Sequence, residues 1–451
     1  MTTTTRYVTF VSITAALGGL LFGFDTAIIA GATRFLKDQF RLSSLGEGLT
    51  VSIVLVGCMV GALVAGAASD RLGRRRFLLV SAGLFFASSI GCALPQNLAQ
   101  FLIFRFVGGL AIGSVSIVSP LYISEIAPAR IRGALVSVNQ MAIVSGILIA
   151  YFVNWVLVGA GPSNWRWMFA TGAAPAVLFF LLVLGIPESP RWLLKQGREA
   201  EALSVLTRVN PPGAAAEEAK SIKDALAWEE GRLGELFKPG FRTALLVGVV
   251  LAVFQQITGI NAVIYYSPRI FEAAGLARGA AILQSTITGA VNVLFTLVAI
   301  AFVDRLGRKK MLMFGTAGMG LSFVLLGAAF KFHIFAGSGI LLFTLFYVAF
   351  FAMTQGPIVW VVIAEIFPTR VRGRAMAIAT AALWIADFAV SLTFPVIADK
   401  FHETFAFWLY AAMCLLAVIF IWRMLPETKG KSLEEIERHW LGSGLNNSTN
   451  P

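Results

Sequence analysis

Twelve apolar stretches, each close to the ~20 residues that a helix needs to cross a bilayer, run through this 451-residue chain. The first six are Val8 to Ile29, Leu49 to Ala68, Phe77 to Leu94, Phe101 to Ile123, Ala134 to Val158 and Trp167 to Ile186. The pattern then stops, and resumes with Leu245 to Ile270, Ala280 to Val303, Met311 to Phe332, Ile340 to Ile363, Ala375 to Ile397 and Phe405 to Leu425. In hydrocarbon a backbone N–H finds no water, so stretches of this length satisfy themselves as helices. Composition agrees: 57% of residues are hydrophobic, only 13% are charged, and mean hydropathy is +0.79. An all-α membrane protein with twelve transmembrane helices is expected. The first stretch is too long for a cleavable signal and no small-residue cleavage site follows it before Gly31, so it is expected to remain as a membrane helix.

Arginine and lysine set the orientation. Arg71, Arg74, Arg75 and Arg76 follow the second stretch, Arg130 and Arg132 the fourth, Arg305, Arg308, Lys309 and Lys310 the eighth, and Arg370, Arg372 and Arg374 the tenth. Short loops rich in these residues stay in the cytoplasm, which places those loops, the middle segment and both termini there. The net charge of +12 is thus a topology signal, and its division among short loops argues against a nucleic-acid footprint. Cys58, Cys92 and Cys414 all lie in apolar stretches and read as small buried side chains, with no disulfide or metal spacing. His333, His402 and His439 lie in or beside loops and form no nucleophile–base pair or metal motif. No enzyme activity and no cofactor are expected. Asn446 and Asn447 open glycosylation sequons, but in a tail placed in the cytoplasm.

The two halves repeat each other. Asp70-Arg71-Leu72-Gly73-Arg74-Arg75-Arg76 returns as Asp304-Arg305-Leu306-Gly307-Arg308-Lys309-Lys310, an offset of 234. Glu125-Ile126-Ala127-Pro128-Ala129-Arg130-Ile131-Arg132-Gly133 returns as Glu365-Ile366-Phe367-Pro368-Thr369-Arg370-Val371-Arg372-Gly373, offset 240, and Pro187-Glu188-Ser189-Pro190-Arg191 is echoed by Pro426-Glu427-Thr428-Lys429-Gly430, offset 239. Parallel six-helix repeats of this kind are an architecture of secondary transporters, whose binding site lies near the midplane of the membrane.

Polar side chains inside the apolar stretches are the next signal, because an unpaired amide in hydrocarbon costs roughly 2–7 kcal/mol. Gln255, Gln256 and Asn261 sit within one stretch, with Gly259 between them offering a local break. Amides both donate and accept, as the hydroxyls of a neutral polyol do. Two readings stand at this point: a polyol site, or polar glue between helices. Asp25 in the first stretch is a functional candidate on the cost of its charge alone, and Arg105, near the start of the fourth, is the cation that would hold it ionised.

Taken together, the D-R-x-G-R loops of both halves, Pro187-Glu188-Ser189-Pro190-Arg191, the segment Gln255-Gln256-Ile257-Thr258-Gly259-Ile260-Asn261 and Pro426-Glu427-Thr428-Lys429-Gly430 resemble the sugar porter family of the major facilitator superfamily, from about Leu17 to Glu437. The resemblance implies two six-helix bundles, residues 1–186 and 241–425, with a cytoplasmic helical linker over 187–240 and a cytoplasmic tail over 426–451. It implies a monosaccharide site built from Gln140, Gln255, Gln256, Asn261, Asn292, Trp360 and Trp384, covered by Tyr265 and Tyr266. An indole would stack on the apolar face of the sugar and keep one N–H to donate. Asp25 and Arg105 match the pair that proton-coupled members carry, whereas facilitative members usually have asparagine in the first helix.

Arg74, Arg75, Arg191 and Arg308 are expected to pair with Glu125, Glu188, Glu365 and Glu427 across the inner face as a conformational latch; the bland alternative is charges that set topology and never pair. Three positions depart from the family pattern. Ile147 and Leu383 stand where xylose symporters have glutamines, and Asp387 stands where relatives usually have asparagine; its ordinary reading is a protonated, salt-bridged or water-exposed structural acid. The implied function is proton-coupled sugar import by alternating access, in the bacterial inner membrane and as a monomer. A uniporter and a sugar sensor on the same fold are the alternatives.

Overall fold

The computed structural model describes residues 3–128, 131–210, 213–227, 236–237, 241–333, 338–367, 371–431, 435–436 and 440. Arg130, Arg370, His439 and the Asn446 and Asn447 sequons lie outside the described residues. Regular structure among the described residues is helical throughout. The chain divides into two compact units: Met1–Ala32 with Ile53–Glu230, and Thr33–Ser52 with Gly231–Pro451.

The helices of the first half are α1 (Thr3–Phe40), α2 (Ser44–Leu72), α3 (Arg74–Ala93), α4 (Leu98–Ile126), α5 (Arg132–Leu157), α6 (Asn164–Ala170) and α7 (Ala173–Leu184). Between membrane helices there is little hydrophobic driving force, so close backbone approach has to supply the contact. Gly109 and Gly113 of α4 do this: a Cβ on either would lie 1.9 or 2.0 Å from the carbonyl oxygens of Val54 and Cys58 on α2. Three short helices follow, α8 (Pro190–Lys195), α9 (Glu199–Val209) and α10 (Ala215–Ala227). They are tied to the same unit, because Trp192 Nε1 donates to the Asp70 carbonyl at 2.8 Å, Lys195 pairs with the Asp70 carboxylate at 2.7 Å, and Glu218 faces Arg132 at 3.9 Å.

The second half contains α11 (Phe241–Ile257), α12 (Ile260–Ala273), α13 (Arg278–Leu306), α14 (Arg308–Phe332), α15 (Ser338–Met353), α16 (Gln355–Ile366) and α17 (Arg372–Met424). Three expected spans prove to be broken helices: α6 and α7 share one, α11 and α12 another, α15 and α16 a third. The 53-residue α17 carries two spans joined at His402, whose φ of 68° and ψ of 159° are not helical. Counted as spans, the helices among the described residues number twelve. The break between α11 and α12 falls at Gly259, where φ is +93° and a Cβ would meet the Tyr410 ring at 2.8 Å. Only glycine fits both constraints. The carbonyl freed there, on Thr258, accepts from the Tyr347 hydroxyl at 2.9 Å.

Candidate functional site

The break at Gly259 turns three amides into a chain of hydrogen bonds with one direction. Gln255 spends both hydrogens of its Nε2 on the backbone carbonyls of Gln355 and Gly356, at 2.8 and 3.3 Å. Carbonyls only accept, so Gln255 cannot be flipped, and its Oε1 must face the Nε2 of Gln256, 3.4 Å away. Gln256 Oε1 in turn accepts from Asn261 Nδ2 at 2.9 Å. The other hydrogen on that nitrogen goes to Asp387 Oδ2 at 2.6 Å. Both donors of Asn261 are therefore used. Its Oδ1 has no donor among the described residues, and Asn261 is half-buried while Gln255 and Gln256 are buried. The arrangement presents an acceptor from Asn261 and the second N–H of Gln256 to whatever enters from that side. Thus the two ends of the relay are set by backbone carbonyls on α16 and by a carboxylate on α17.

A second charged group lies inside the first unit. Arg105, fully buried on α4, donates from Nη1 to Asp25 Oδ2 of α1 at 2.7 Å. Its guanidinium also stands over the Phe169 ring, 5.6 Å from the centroid. Asp25 retains 14% side-chain exposure, against none for its arginine.

The charged loops follow one plan in both halves. Gly73 and Gly307 precede α3 and α14 with φ of +93° and +90° and no side chain to cap the helix. A distant glutamate takes that place. Glu188 accepts from the backbone N–H groups of Arg74 and Arg75 at 2.9 and 3.1 Å, and Glu427 accepts from those of Arg308 and Lys309 at 2.9 and 3.2 Å. A carboxylate at a helix N-terminus also meets the favourable end of the dipole. The guanidinium groups serve other partners. Arg74 grips Glu125 with two hydrogen bonds of 3.1 Å, Arg308 reaches Glu365 at 3.0 Å, and Arg75 donates to the carbonyls of Val183 and Leu184. Of the expected pairs, Arg74 with Glu125 and Arg308 with Glu365 are present, whereas Glu188 and Glu427 bind backbone N–H groups; these contacts form inside each unit. Arg191 lies within electrostatic reach of Glu125.

The sequence profile described as Sugar (and other) transporter matches residues 11–440. The chain belongs to the sugar transporter family. The arabinose-proton symporter of Bacillus subtilis is 44% identical over 442 residues, spanning 96% of this chain and 95% of the relative. The D-xylose-proton symporter of Escherichia coli K12 is 40% identical over 473 residues, with 96% of each chain covered. Among solved structures, the xylose transporter XylE from E. coli in a partially occluded inward-open conformation superposes with a TM-score of 0.85 at 39% identity, covering 95% of this chain and all of that one. These agree with the twelve spans: the fold is that of the major facilitator superfamily.

In this sugar transporter the remaining candidate residues lie on α12 itself and on other helices. Asn292 on α13 and Trp384 on α17 are buried, and Trp360 on α16 is half-buried. Tyr265 and Tyr266 of α12 are also buried, and the Tyr266 hydroxyl donates to the Ser391 carbonyl at 2.7 Å, tying α12 to α17. Gln140 is half-buried on α5, in the first unit. Asp387 is neither water-exposed nor in an ion pair among the described residues; it is wholly buried, bound by Asn261 and by Ser391 Oγ at 3.0 Å. Sequence reasoning missed a second charged cluster, in which Glu47 meets Lys37 at 2.7 Å and Arg269 at 2.9 Å, while Arg269 also meets Asp399 at 2.5 Å and Ser44 donates to that carboxylate. Its only signal was a pair of opposite charges, Lys37 and Glu47, flanking the first loop.

Proposed function

We propose that this chain is a proton-coupled monosaccharide importer that works by alternating access. Its sugar site is the face of the Gln255–Gln256–Asn261 relay, with Asn292, Trp360 and Trp384 from neighbouring helices. Its proton site is Asp25, held by Arg105. The names of the relatives support the class, and the Asp25–Arg105 pair is the observation that carries the coupling, since a uniporter has no need of an ionisable group buried in a span. A proton entering from outside neutralises Asp25 and releases its tie to Arg105; discharge inside restores it. Each charge moved inward gains ~2.3 kcal/mol per 100 mV. Because ~1.4 kcal/mol is a tenfold ratio, that suffices to concentrate a neutral sugar more than tenfold. The chain performs transport and not chemistry on the sugar, as a monomer in the bacterial inner membrane with both termini in the cytoplasm. Residues 1–186 and 241–425 form its two halves, 187–240 its linker and 426–451 its tail.

Proteoliposomes with an alkaline interior, offered L-arabinose, D-xylose, D-galactose and D-glucose in turn, test this reading. At least one sugar should accumulate above its external concentration. Equilibration without accumulation would instead make the protein a uniporter, and binding without uptake a sensor.

A further inference from the structure

Asp387 is an acid that the scheme above does not use, and its surroundings define what it can do. It is fully buried, where an unneutralised charge is costly. Two donors offset that cost, Asn261 Nδ2 at 2.6 Å on Oδ2 and Ser391 Oγ at 3.0 Å on Oδ1. The helices packed on this one are α11, α12, α14 and α16. From α12 Tyr266 faces Asp387; Tyr410, and the Glu47–Arg269 pair beyond, act on Tyr266 in turn. Along α11, α14 and α16 the groups that line this region are neutral: Gln255, Gln256, Thr316 and Gln355. No cation among the described residues pairs with the carboxylate.

The relay leaves Asn261 only two ways to meet a sugar. A hydroxyl that donates finds the free Oδ1 and changes nothing else. A hydroxyl that accepts must take the N–H now given to Asp387, because the N–H given to Gln256 is fixed by the carbonyls of Gln355 and Gly356 at the far end of the chain. Asp387 Oδ2 would then be buried without its donor. Taking up one proton from water removes the charge and forms one O–H bond, and departure of the sugar returns the N–H and releases the proton to water. We propose that Asp387 is a sugar-linked proton site: it sets the polarity of Asn261 when ionised and gains a proton when sugar takes the Asn261 N–H. This rests on the relay being the sugar site. By linkage, if sugar raises the proton affinity of Asp387, protonation raises the affinity for sugar. Binding should tighten as pH falls, and where one proton is taken up the dissociation constant changes by up to about tenfold per pH unit.

The test is equilibrium binding by purified protein across mildly acid to mildly alkaline pH, with D-xylose, L-arabinose and D-glucose as probes. Asp387→Asn keeps an acceptor for Asn261 and a donor for Ser391, so it should still bind sugar, with a flatter dependence on pH than the parent. Ser391→Ala removes one donor to the carboxylate while leaving the Ser391 carbonyl to Tyr266, and should move the midpoint to higher pH. Asp25→Asn should retain the Asp387 component. A parent-like pH profile in Asp387→Asn, an unmoved midpoint in Ser391→Ala, or loss of all pH dependence in Asp25→Asn would each overturn the inference. Asn261→Ala separates it from its premise: unchanged binding there refutes the sugar site itself, whereas weakened binding beside a parent-like Asp387→Asn profile refutes only the proton site.

Discussion

Asn261 is where most of the chemistry of the second unit converges, since its one amide meets Gln256, Asp387 and the open side of the site. A neutral hydrogen bond contributes about 0.5–1.5 kcal/mol net, and a sugar bound at millimolar to micromolar affinity has only ~4–8 kcal/mol in all. Asn261→Ala and Gln256→Ala should therefore each weaken binding by about two- to tenfold, measured by equilibrium binding. If both bound every transported sugar as the parent does, the relay would not be the site. Gln255 differs, because both its hydrogens serve backbone carbonyls and its part is to fix the direction of the others. That three amides in one apolar stretch need partners was legible from the cost of burying them. Which partners they take was not, because Asn261 and Asp387 are 126 residues apart and only the fold brings them together.

At the scale of helices, hydropathy located the spans but not their breaks. The break at Gly259 could be anticipated from a glycine among amides; the one at Thr354, with φ −134° and ψ −81°, falls at the Thr354-Gln355-Gly356-Pro357 run of a stretch that hydropathy alone reads as continuous from Ile340 to Ile363. Likewise α1 continues to Phe40, past the end of its apolar stretch at Ile29, since helical hydrogen bonds do not stop where hydrophobicity does. The charged loops were read as sites of ion pairing, and the glutamates at 188 and 427 turned out to cap helices whose preceding glycines cannot cap themselves. Glu365 tests what the remaining pairs do. It lies ten residues along α16 from Gln355, roughly 15 Å at the helical rise, and binds Arg308 and the Thr428 hydroxyl. Glu365→Gln should leave sugar binding by detergent-solubilised protein within about twofold while transport falls, because the change biases conformations and not the site. Parallel loss of binding and transport in a correctly folded protein would place Glu365 at the sugar.

For the whole molecule, the question is how a neutral sugar is driven uphill. The division into two halves was legible in the repeated motifs, and the placement of chemistry follows it: Asp25 and Arg105 belong to the first unit, the relay and Asp387 to the second. Two carboxylates thus lie in two units, one partly exposed beside a buried cation and one buried against an amide and a hydroxyl. The account assigns the driving step to the first. Replacing Asp25 by asparagine removes the titrating group while keeping a side chain that can still meet Arg105, and it leaves the relay untouched. The decisive comparison is sugar accumulation driven by a pH gradient against sugar exchange at equal pH, both in proteoliposomes containing Asp25→Asn. Exchange should persist while accumulation is lost; continued uphill accumulation by this variant would contradict the assignment of proton coupling to Asp25.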